Sequence, residues 1–333
     1  MTDARRSLEY SRLPSLATRR HHVAARIARA FPFRPGFDFM EDRTLLSTFL
    51  VNNTGDSGPG SLRQAIVDSN NAVGSINTID FDIPGAGVQT IAPLSPLPAI
   101  SNPVLIDGES QPAYSGTPLI QITGNQAGGG DGLTITGSNV TVRGLDIDNF
   151  SQGAAIQLTG TAATGDWIYA DFLGTDPTGT QAEPNDQGVL IQEGASDNMI
   201  GGTNSTACDV ISGNGADGVD IAGVGTSGNV VEGDDVGITA SGTGPLANTY
   251  SGVAIYGGAS GNTIGGTVPG SGNVISANQD FGVYISDVGT NGNVVEGDYL
   301  GTDATGSLAL GNGLAGVIVQ RSEEHTSELQ SPA

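Results

Sequence analysis

The chain has 333 residues, including 52 glycines, and a formal net charge of −23 at pH 7. All 12 basic residues are arginines, nine of them in the first 43 positions, so residues 44–320 hold 27 acidic residues against only Arg63 and Arg143. Such a surface repels phosphate backbones, which argues against nucleic acid as a partner. The same segment lacks lysine and histidine, a composition that suits an extracellular protein among divalent cations, and its lone cysteine, Cys208, leaves no intramolecular disulfide.

Residues 1–43 predict an arginine-rich, largely disordered leader. They lack an apolar stretch of signal-peptide length, and no segment of the sequence is apolar over a length that would predict a membrane span. The run MEDRTLLS, from Met40 to Ser47, resembles the LEDRTLLS leader motif of large bacterial surface proteins, with Met40 in place of leucine. The resemblance implies an extracellular or cell-surface location. A basic tail on a cytoplasmic protein is the alternative.

Residues 44–74 predict a strand followed by a short helix from Ser61 to about Asn70. Ser61 is a suitable N-cap residue, and Gln64, three positions later, predicts a capping box. We interpret this element as the N-terminal cap of the repeat domain that follows, because the open end of a repeat array exposes unpaired strand groups.

The repeat domain, residues 75–320, is built on a recurring Gly-Val-x-Ile signature. Its copies begin at positions 188, 218, 252, 282 and 316. The steps alternate between 30 and 34 residues, so the repeating unit is a 64-residue pair. A period of this size predicts a solenoid, in which each rung buries its apolar face against its neighbours.

Each rung contains three short β-branched runs separated by turn residues, which predicts three strands and no helix. The valine and isoleucine of the signature lie two apart and face the interior, whereas the variable x column is predicted to be solvated. The extra residues lie between the second and third strands in the 30-residue rungs and after the third strand in the 34-residue rungs. Loops of one kind should stack on one edge of the coil, two rungs apart.

Residues 48–320 resemble bacterial proteins with right-handed parallel β-helix repeats of the pectin-lyase-like fold. The segment from Phe49 to Ile66 resembles the CSLREA N-terminal motif, with Gly60 in place of its cysteine. The resemblance implies an all-β, single-stranded right-handed parallel β-helix with a short strand–helix cap. It defines architecture more than activity, because the functions of the family are diverse.

Some β-helix proteins of this kind are polysaccharide lyases, which need a basic residue and carboxylates that hold Ca²⁺. The candidate base is Arg143, and alternation places Arg143, Asp146 and Asp148 on the outside of the coil, where they predict an Arg/Asp/Asp patch. A surface ion pair without catalytic function is the alternative interpretation of these three residues.

A glycoside hydrolase would need two carboxyl groups at a working distance. Asp234 and Asp235 are adjacent, but neighbouring strand residues point to opposite faces, so they are poorly placed as a pair. We therefore expect no intrinsic catalysis in this segment and keep a polysaccharide lyase or hydrolase as the alternative.

Aspartates recur at the corners of the long rungs. Stacked carboxylates repel one another, and a hard cation with oxygen ligands would relieve the repulsion, which predicts Ca²⁺ as a cofactor. The alternative is that aspartate and asparagine simply suit tight turns. The predicted calcium ligands are Asp171, Asp176, Asp234, Asp298 and Asp303.

Asparagines also recur in register, and we expect their amides to hydrogen-bond from rung to rung as a turn ladder. This ladder comprises Asn198, Asn229, Asn262 and Asn293.

Residues 321–333 resemble the translation of a sequencing adapter, and the repeat stops at Gln320, so we expect that the natural coil continues and exclude these residues. The sequence predicts a monomeric, secreted, structural or adhesive scaffold that displays loops to polysaccharides or cell-surface glycans.

Overall fold

A computed structural model describes residues 46–72 and 76–320. The chain divides into two compact units, residues 1–43 and 44–333, and the described residues belong to the second. The predicted leader, residues 1–43, and the predicted adapter sequence, residues 321–333, lie outside the described residues. Within the described part, no helix is both long and apolar enough to cross a membrane.

The described residues form three parallel sheets, which the chain visits in turn along an open coil. From Val104 onward each rung contributes one strand to each sheet, so the chain is a right-handed parallel β-helix, the hand that parallel crossovers favour. Sheet A contains β1 (Leu46–Val51), β2 (Ile76–Phe81), β4 (Val104–Asp107), β7 (Thr141–Arg143), β10 (Trp167–Tyr169), β13 (Met199–Gly201), β16 (Val230–Glu232), β19 (Thr263–Gly265) and β22 (Val294–Glu296).

The other two sheets have the same parallel order. Sheet B contains β3 (Gln89–Ile91), β5 (Ile120–Thr123), β8 (Leu145–Asp148), β11 (Phe172–Leu173), β14 (Val210–Ile211), β17 (Asp235–Val236), β20 (Val274–Ile275) and β23 (Tyr299–Leu300). Sheet C contains β6 (Leu133–Ile135), β9 (Ile156–Thr159), β12 (Val189–Gln192), β15 (Val219–Ala222), β18 (Val253–Tyr256), β21 (Phe281–Ser286) and β24 (Ala315–Gln320). Two short 3₁₀ helices, Gly108–Ser110 and Gly124–Gln126, lie in connections.

The Gly-Val-x-Ile signature forms sheet C in the predicted register. Its valine column runs Val189, Val219, Val253, Val283, Val317, and its isoleucine column runs Ile191, Ile221, Ile255, Ile285, Val319. From β12 to β18 these side chains are fully buried. The predicted aliphatic interior is therefore confirmed, and it supplies the apolar burial that holds the rungs together.

The prediction that the x column is solvated is wrong at two positions. Asp220 and Ala254 point away from the coil interior, yet they are only 3% and 2% exposed. The Tyr256 hydroxyl donates to Asp220 Oδ2 at 3.0 Å, so side chains of the next rung cover the outer face at this place. Strand alternation fixes the face of a residue but not what packs over that face.

The N-terminal cap has the predicted strand and helix, with one difference. Helix α1 spans Leu62–Asn71 and contacts β1 and β2, and the Ser61 side chain accepts a hydrogen bond from Gln64 N at 3.2 Å. The reciprocal half of the capping box is absent, because the Gln64 side chain donates to Asp68 instead. Leu62, Ala65 and Ile66 are buried, so the helix packs its apolar side on the first rung.

The asparagine ladder is confirmed at the corner that precedes the strands of sheet A. Asn198 Nδ2 donates to Asn229 Oδ1 at 3.0 Å, and the same bond joins Asn229 to Asn262 at 2.9 Å and Asn262 to Asn293 at 3.0 Å. A second ladder of the same kind follows sheet B, and its members are Asn185, Asn214, Asn248, Asn278 and Asn312.

The loops stack as the repeat predicts. The loops after sheet B hydrogen-bond directly across two rungs, with Ala240 N donating to Gly179 O at 3.0 Å and Ala304 N to Gly242 O at 3.1 Å. The long connections between sheets A and B belong to the alternate rungs. These two sets of loops border the outer face of sheet B on different sides.

Candidate functional site

Arg143 lies on the outer face of sheet A, where acidic and aromatic side chains occupy its hydrogen-bonding groups. Its Nε and Nη2 donate to the two Asp107 oxygens, each at 2.8 Å, and Nη1 lies 3.3 Å from a Glu109 oxygen. Nη1 also donates to the Tyr169 hydroxyl at 2.9 Å. These bonds raise the pKa of Arg143, so the guanidinium remains charged and is not a base.

The predicted Arg/Asp/Asp patch is not formed. Arg143 ends β7 in sheet A, whereas Asp146 and Asp148 lie in β8 of sheet B. Both aspartates are on the outer side of the strand, as predicted, but both are fully buried. Asp148 accepts from Gln121 Nε2 at 2.6 Å, and burial together with the charge of Asp148 raises the pKa of Asp146 well above its ordinary value.

An aromatic pair lies beside Arg143. The rings of Trp167 and Tyr169 are 4.3 Å apart between centroids, and the Arg143 guanidinium lies 5.9 Å from the Tyr169 centroid. Trp167 is 40% exposed, and its indole nitrogen donates to Gly201 O at 2.7 Å, which fixes the ring while leaving part of its surface accessible. Exposed, fixed aromatic rings of this kind suit contact with an apolar ligand surface.

A large cavity lies at the corner between sheets A and B and has a volume of about 960 Å³. We call it the corner cavity. Its size follows from the alternation of corner connections, because long connections form its walls while two-residue connections leave the outer face of sheet B open. It is lined by Gly116, Thr117, Phe172, Gly202, Thr203, Asn204, Ser205, Cys208, Val210, Gly233, Asp235, Ala240, Pro269, Gly270 and Gly272.

Neutral polar groups and glycine backbone make up most of the cavity wall, and Phe172 and Val210 give it an apolar floor. Asp235 carries the only carboxyl group among the described lining residues, and burial raises the pKa of this residue to about 6. Burial, followed by the charges of Asp235 and Asp234, raises the pKa of the Cys208 thiol, which therefore stays protonated and is a poor nucleophile. The cavity can accept hydroxyl-rich neutral ligands, and none of its described lining residues is a cation for an anionic ligand.

Asp234 and Asp235 do point to opposite sides, as predicted. Asp235 reaches the corner cavity, and Asp234 is buried at the corner itself. Asp234 belongs to a ladder with Asp171, Asp209, Asn273 and Asp298, which we call the acid ladder. In each step the backbone N–H of one member donates to Oδ1 of the next, at 2.7 to 3.0 Å.

Three of the predicted calcium ligands, Asp171, Asp234 and Asp298, are therefore corner residues whose Oδ1 atoms accept hydrogen bonds from backbone N–H groups. The other two, Asp176 and Asp303, organise turns: Asp176 Oδ1 accepts from Thr180 N at 2.9 Å and Gln181 N at 2.8 Å, and Asp303 Oδ1 accepts from the equivalent N–H groups. Across residues 46–72 and 76–320, no group of three or more His, Cys, Asp or Glu side chains is arranged to hold a metal ion. These contacts favour turn geometry over Ca²⁺, and calcium binding stays a prediction.

Two further carboxyl groups, Asp217 and Asp220, lie at sheet C, and the sequence analysis did not identify them. Burial raises the pKa of Asp220 to about 7, and the charge of Asp217 and the hydrogen bond from Tyr256 act on the same group. Asp217 Oδ1 accepts from Ser251 N at 2.7 Å, and burial also raises its pKa. Tyr256 lies 36 residues from Asp220 in the chain. Only an alignment of consecutive rungs, with the x positions in register, could have indicated this contact.

No protein-family model matches the chain, and no curated protein matches its sequence. Similar solved structures include the periplasmic alginate epimerase AlgG (15% identity, 76% of this chain, 51% of that chain, TM-score 0.44) and a mutant of the same enzyme (14%, 77%, 52%, 0.44). An alginate lyase from Paenibacillus sp. str. FPU-7 is 16% identical over 75% of this chain and 98% of that chain, with a TM-score of 0.38. The chain spans about half the length of the epimerase.

Proposed function

We propose that this protein is a non-catalytic β-helix scaffold that binds a neutral polysaccharide at the corner between sheets A and B. The corner cavity carries the proposal. Its volume of about 960 Å³ lies at the upper end of the range for small-ligand sites. Hydroxyl, amide and backbone groups on its wall can exchange hydrogen bonds with sugar hydroxyls, and Phe172 offers an apolar contact for a sugar ring.

The charge of the site supports a neutral ligand. A uronate polymer would bring its carboxylates toward Asp235 and across a segment with a net charge near −25 (two arginines against 27 acidic residues, 44–320). Arg143, the nearest arginine in chain order to the cavity floor, is already bound to Asp107 and Glu109. An anionic polymer would therefore need added cations, whereas a neutral one would not.

We also propose a location and an oligomeric state for the protein. The resemblance of residues 40–47 to a bacterial surface-protein leader and the lysine-free acidic composition support an extracellular or cell-surface monomer in a structural or adhesive role. Fractionation of the native cells with an antibody to the coil, and light scattering of the purified protein, test these two points.

Binding is tested by affinity electrophoresis in gels that contain xyloglucan, galactomannan, mixed-linkage glucan, pectin or alginate. We expect at least one neutral polymer to retard the protein. Ser205→Trp fills the cavity and should weaken this retardation at least tenfold, and Asp235→Asn should change it severalfold. Val224→Trp is the matched control, because Val224 is 85% exposed and does not line the cavity. Equal retardation of Ser205→Trp and the control, or retardation by the two acidic polymers alone, contradicts the proposal.

A carbohydrate-degrading enzyme is the second candidate, and the carboxylates on sheet C favour it. Asp220 is a buried acid near Asp217, and a pair of carboxyl groups is what glycoside hydrolysis requires. New reducing ends released from a neutral polymer, and lost in Asp220→Asn, would establish this activity. Ultraviolet-absorbing products from pectin or alginate with Ca²⁺ would instead indicate a lyase.

A further inference from the structure

Asn273 occupies a position in the acid ladder that is otherwise held by aspartates, so its hydrogen bonds show which partners a ladder side chain meets. Its Oδ1 accepts from Asp234 N at 3.0 Å, as in every other step of the ladder. Its Nδ2 donates twice, to Val231 O at 2.9 Å and to Asp298 Oδ1 at 2.8 Å. The second asparagine ladder, which follows sheet B, shows the same pair of bonds, since Asn214 Nδ2 donates to Leu173 O at 3.0 Å and to Asn248 Oδ1 at 2.9 Å. The second side-chain atom of a ladder residue thus faces two acceptors.

In the aspartates of the acid ladder, this second atom is an oxygen. Oδ2 of Asp171, Asp209 and Asp234 is buried and has no hydrogen-bond partner within the part of the chain that the structure describes. An ionised carboxylate would place an acceptor against a carbonyl and against the Oδ1 of the next member, with no donor between them. A protonated carboxyl group has an O–H that can donate to one of them. Burying an unpaired charge here would be far more costly than retaining the proton.

We propose that Asp171, Asp209 and Asp234 are neutral carboxylic acids in the folded protein near neutral pH, each Oδ2–H donating along the ladder as an asparagine amide does. The three protons enter when the coil folds and leave when it unfolds. The ladder therefore couples the stability of the coil to pH.

Among the described residues, no cation acts on the ladder aspartates to favour their ionisation. The titratable groups that face Asp171 are Glu109, Tyr114 and Asp209. Those that face Asp234 are Glu232, Asp235, Asp209 and Cys208. Burial is the main cause that raises the pKa of Asp171 and of Asp234 well above the ordinary value, and the charge of Asp209 is the second. Burial raises the pKa of Asp209 to about 7.

The direction of the pH effect follows from proton linkage. These acids have a higher pKa in the folded than in the unfolded state, so the folded protein binds more protons between the two pKa values. Their contribution to stability is complete below the unfolded pKa near 4 and is lost as the pH rises toward the folded pKa. Each such group multiplies the unfolding equilibrium constant about tenfold per pH unit in this window.

The test is urea unfolding of the full chain from pH 4.5 to 9, together with infrared spectroscopy of the folded protein at pH 7. Asp209→Asn and Asp234→Asn each restore an amide donor, so each should raise stability at pH 8 and reduce the pH slope by about one proton. Asn273→Asp is the reciprocal variant and should steepen the slope by about one proton. Folded wild type should show a protonated-carboxyl band at pH 7 that weakens in each Asp→Asn variant.

Four results would overturn the proposal. They are a pH slope that is the same in wild type and the Asp→Asn variants, lower stability of those variants at pH 8, the absence of a protonated-carboxyl band in folded wild type, and stabilisation of wild type by Ca²⁺ that Asp234→Asn abolishes, because a bound cation would hold these carboxylates ionised. The infrared measurement needs no variant, so the proposal can fail even if a substitution prevents folding.

Discussion

Asn229 joins three rungs of the coil through one side chain. Its Oδ1 accepts from both Asn198 N and Asn198 Nδ2, and its Nδ2 donates to Asn262 Oδ1 and Ala195 O. The residue is fully buried, so none of these groups can turn to water if a partner is lost. Corner residues therefore contribute to stability as hydrogen-bond partners, in addition to the aliphatic columns.

Replacing Asn229 by alanine tests this contribution. The substitution leaves the Asn198 backbone N–H without its acceptor and leaves the Asn198 amide with Ala163 O alone, and we expect it to lower the free energy of unfolding by about 2–4 kcal/mol. Asn291→Ala is the control: the exposed Asn291 side chain donates only to Gly289 O, and its loss should cost less than about 0.5 kcal/mol. Equal losses in the two variants, measured by urea unfolding at pH 6, would contradict the ladder's energetic role.

At the scale of the elements, the repeat predicts what lies inside the coil because strand alternation and rung register are both visible in the sequence. The columns at Val189 and Ile191 and the asparagine ladder follow directly from the period. The acid ladder was also partly visible, since Asp209 and Asn273 occupy the same place in two rungs 64 residues apart. Such an exchange of aspartate for asparagine at a buried corner indicates that the aspartate takes over an amide's position.

The outer face was harder to predict because its cover comes from distant segments. Asp107 binds Arg143 from 36 residues away, in the early part of the coil where no regular period gives the register. The corner cavity depends on the lengths of several connections at once. These features arise from packing between loops, to which local sequence patterns contribute little.

The aliphatic columns give a prediction at this scale. Ile221 is fully buried between Ile191 and Ile255, and Ile221→Ala should lower the free energy of unfolding by about 2–5 kcal/mol through lost burial and a new cavity. Leu190→Ala, at a half-buried position on the outer face, is the control and should cost about 1 kcal/mol.

Hydrogen exchange should locate the damage from Ile221→Ala. The strands of each rung pair only with those of the neighbouring rungs, so backbone amides of β12, β15 and β18 should lose protection while those of β2 and β4 retain it. Uniform loss of protection along the whole coil would show that the rungs unfold as one unit instead.

At the scale of the whole molecule, the charge of residues 44–320 opposes the compact state. The 27 acidic residues and two arginines give a net charge near −25, spread over rungs that are about 4.8 Å apart. At about 10 mM salt the Debye length is roughly 30 Å, so charges on several successive rungs repel one another, whereas at about 150 mM it falls to roughly 8 Å. The protons that we assign to the acid ladder reduce the number of negative charges in the coil and so lower this repulsion.

We therefore expect the melting temperature at pH 7 to rise by several degrees between about 10 and 150 mM sodium chloride, because screening weakens the self-repulsion of the folded coil. Binding to a neutral polysaccharide should stay nearly constant over the same range, since no ion pair with the ligand is involved. Differential scanning calorimetry and affinity electrophoresis measure the two responses on one preparation. A melting temperature that falls with salt would mean that attractive ion pairs, such as Arg143 with Asp107, outweigh the repulsion among the carboxylates.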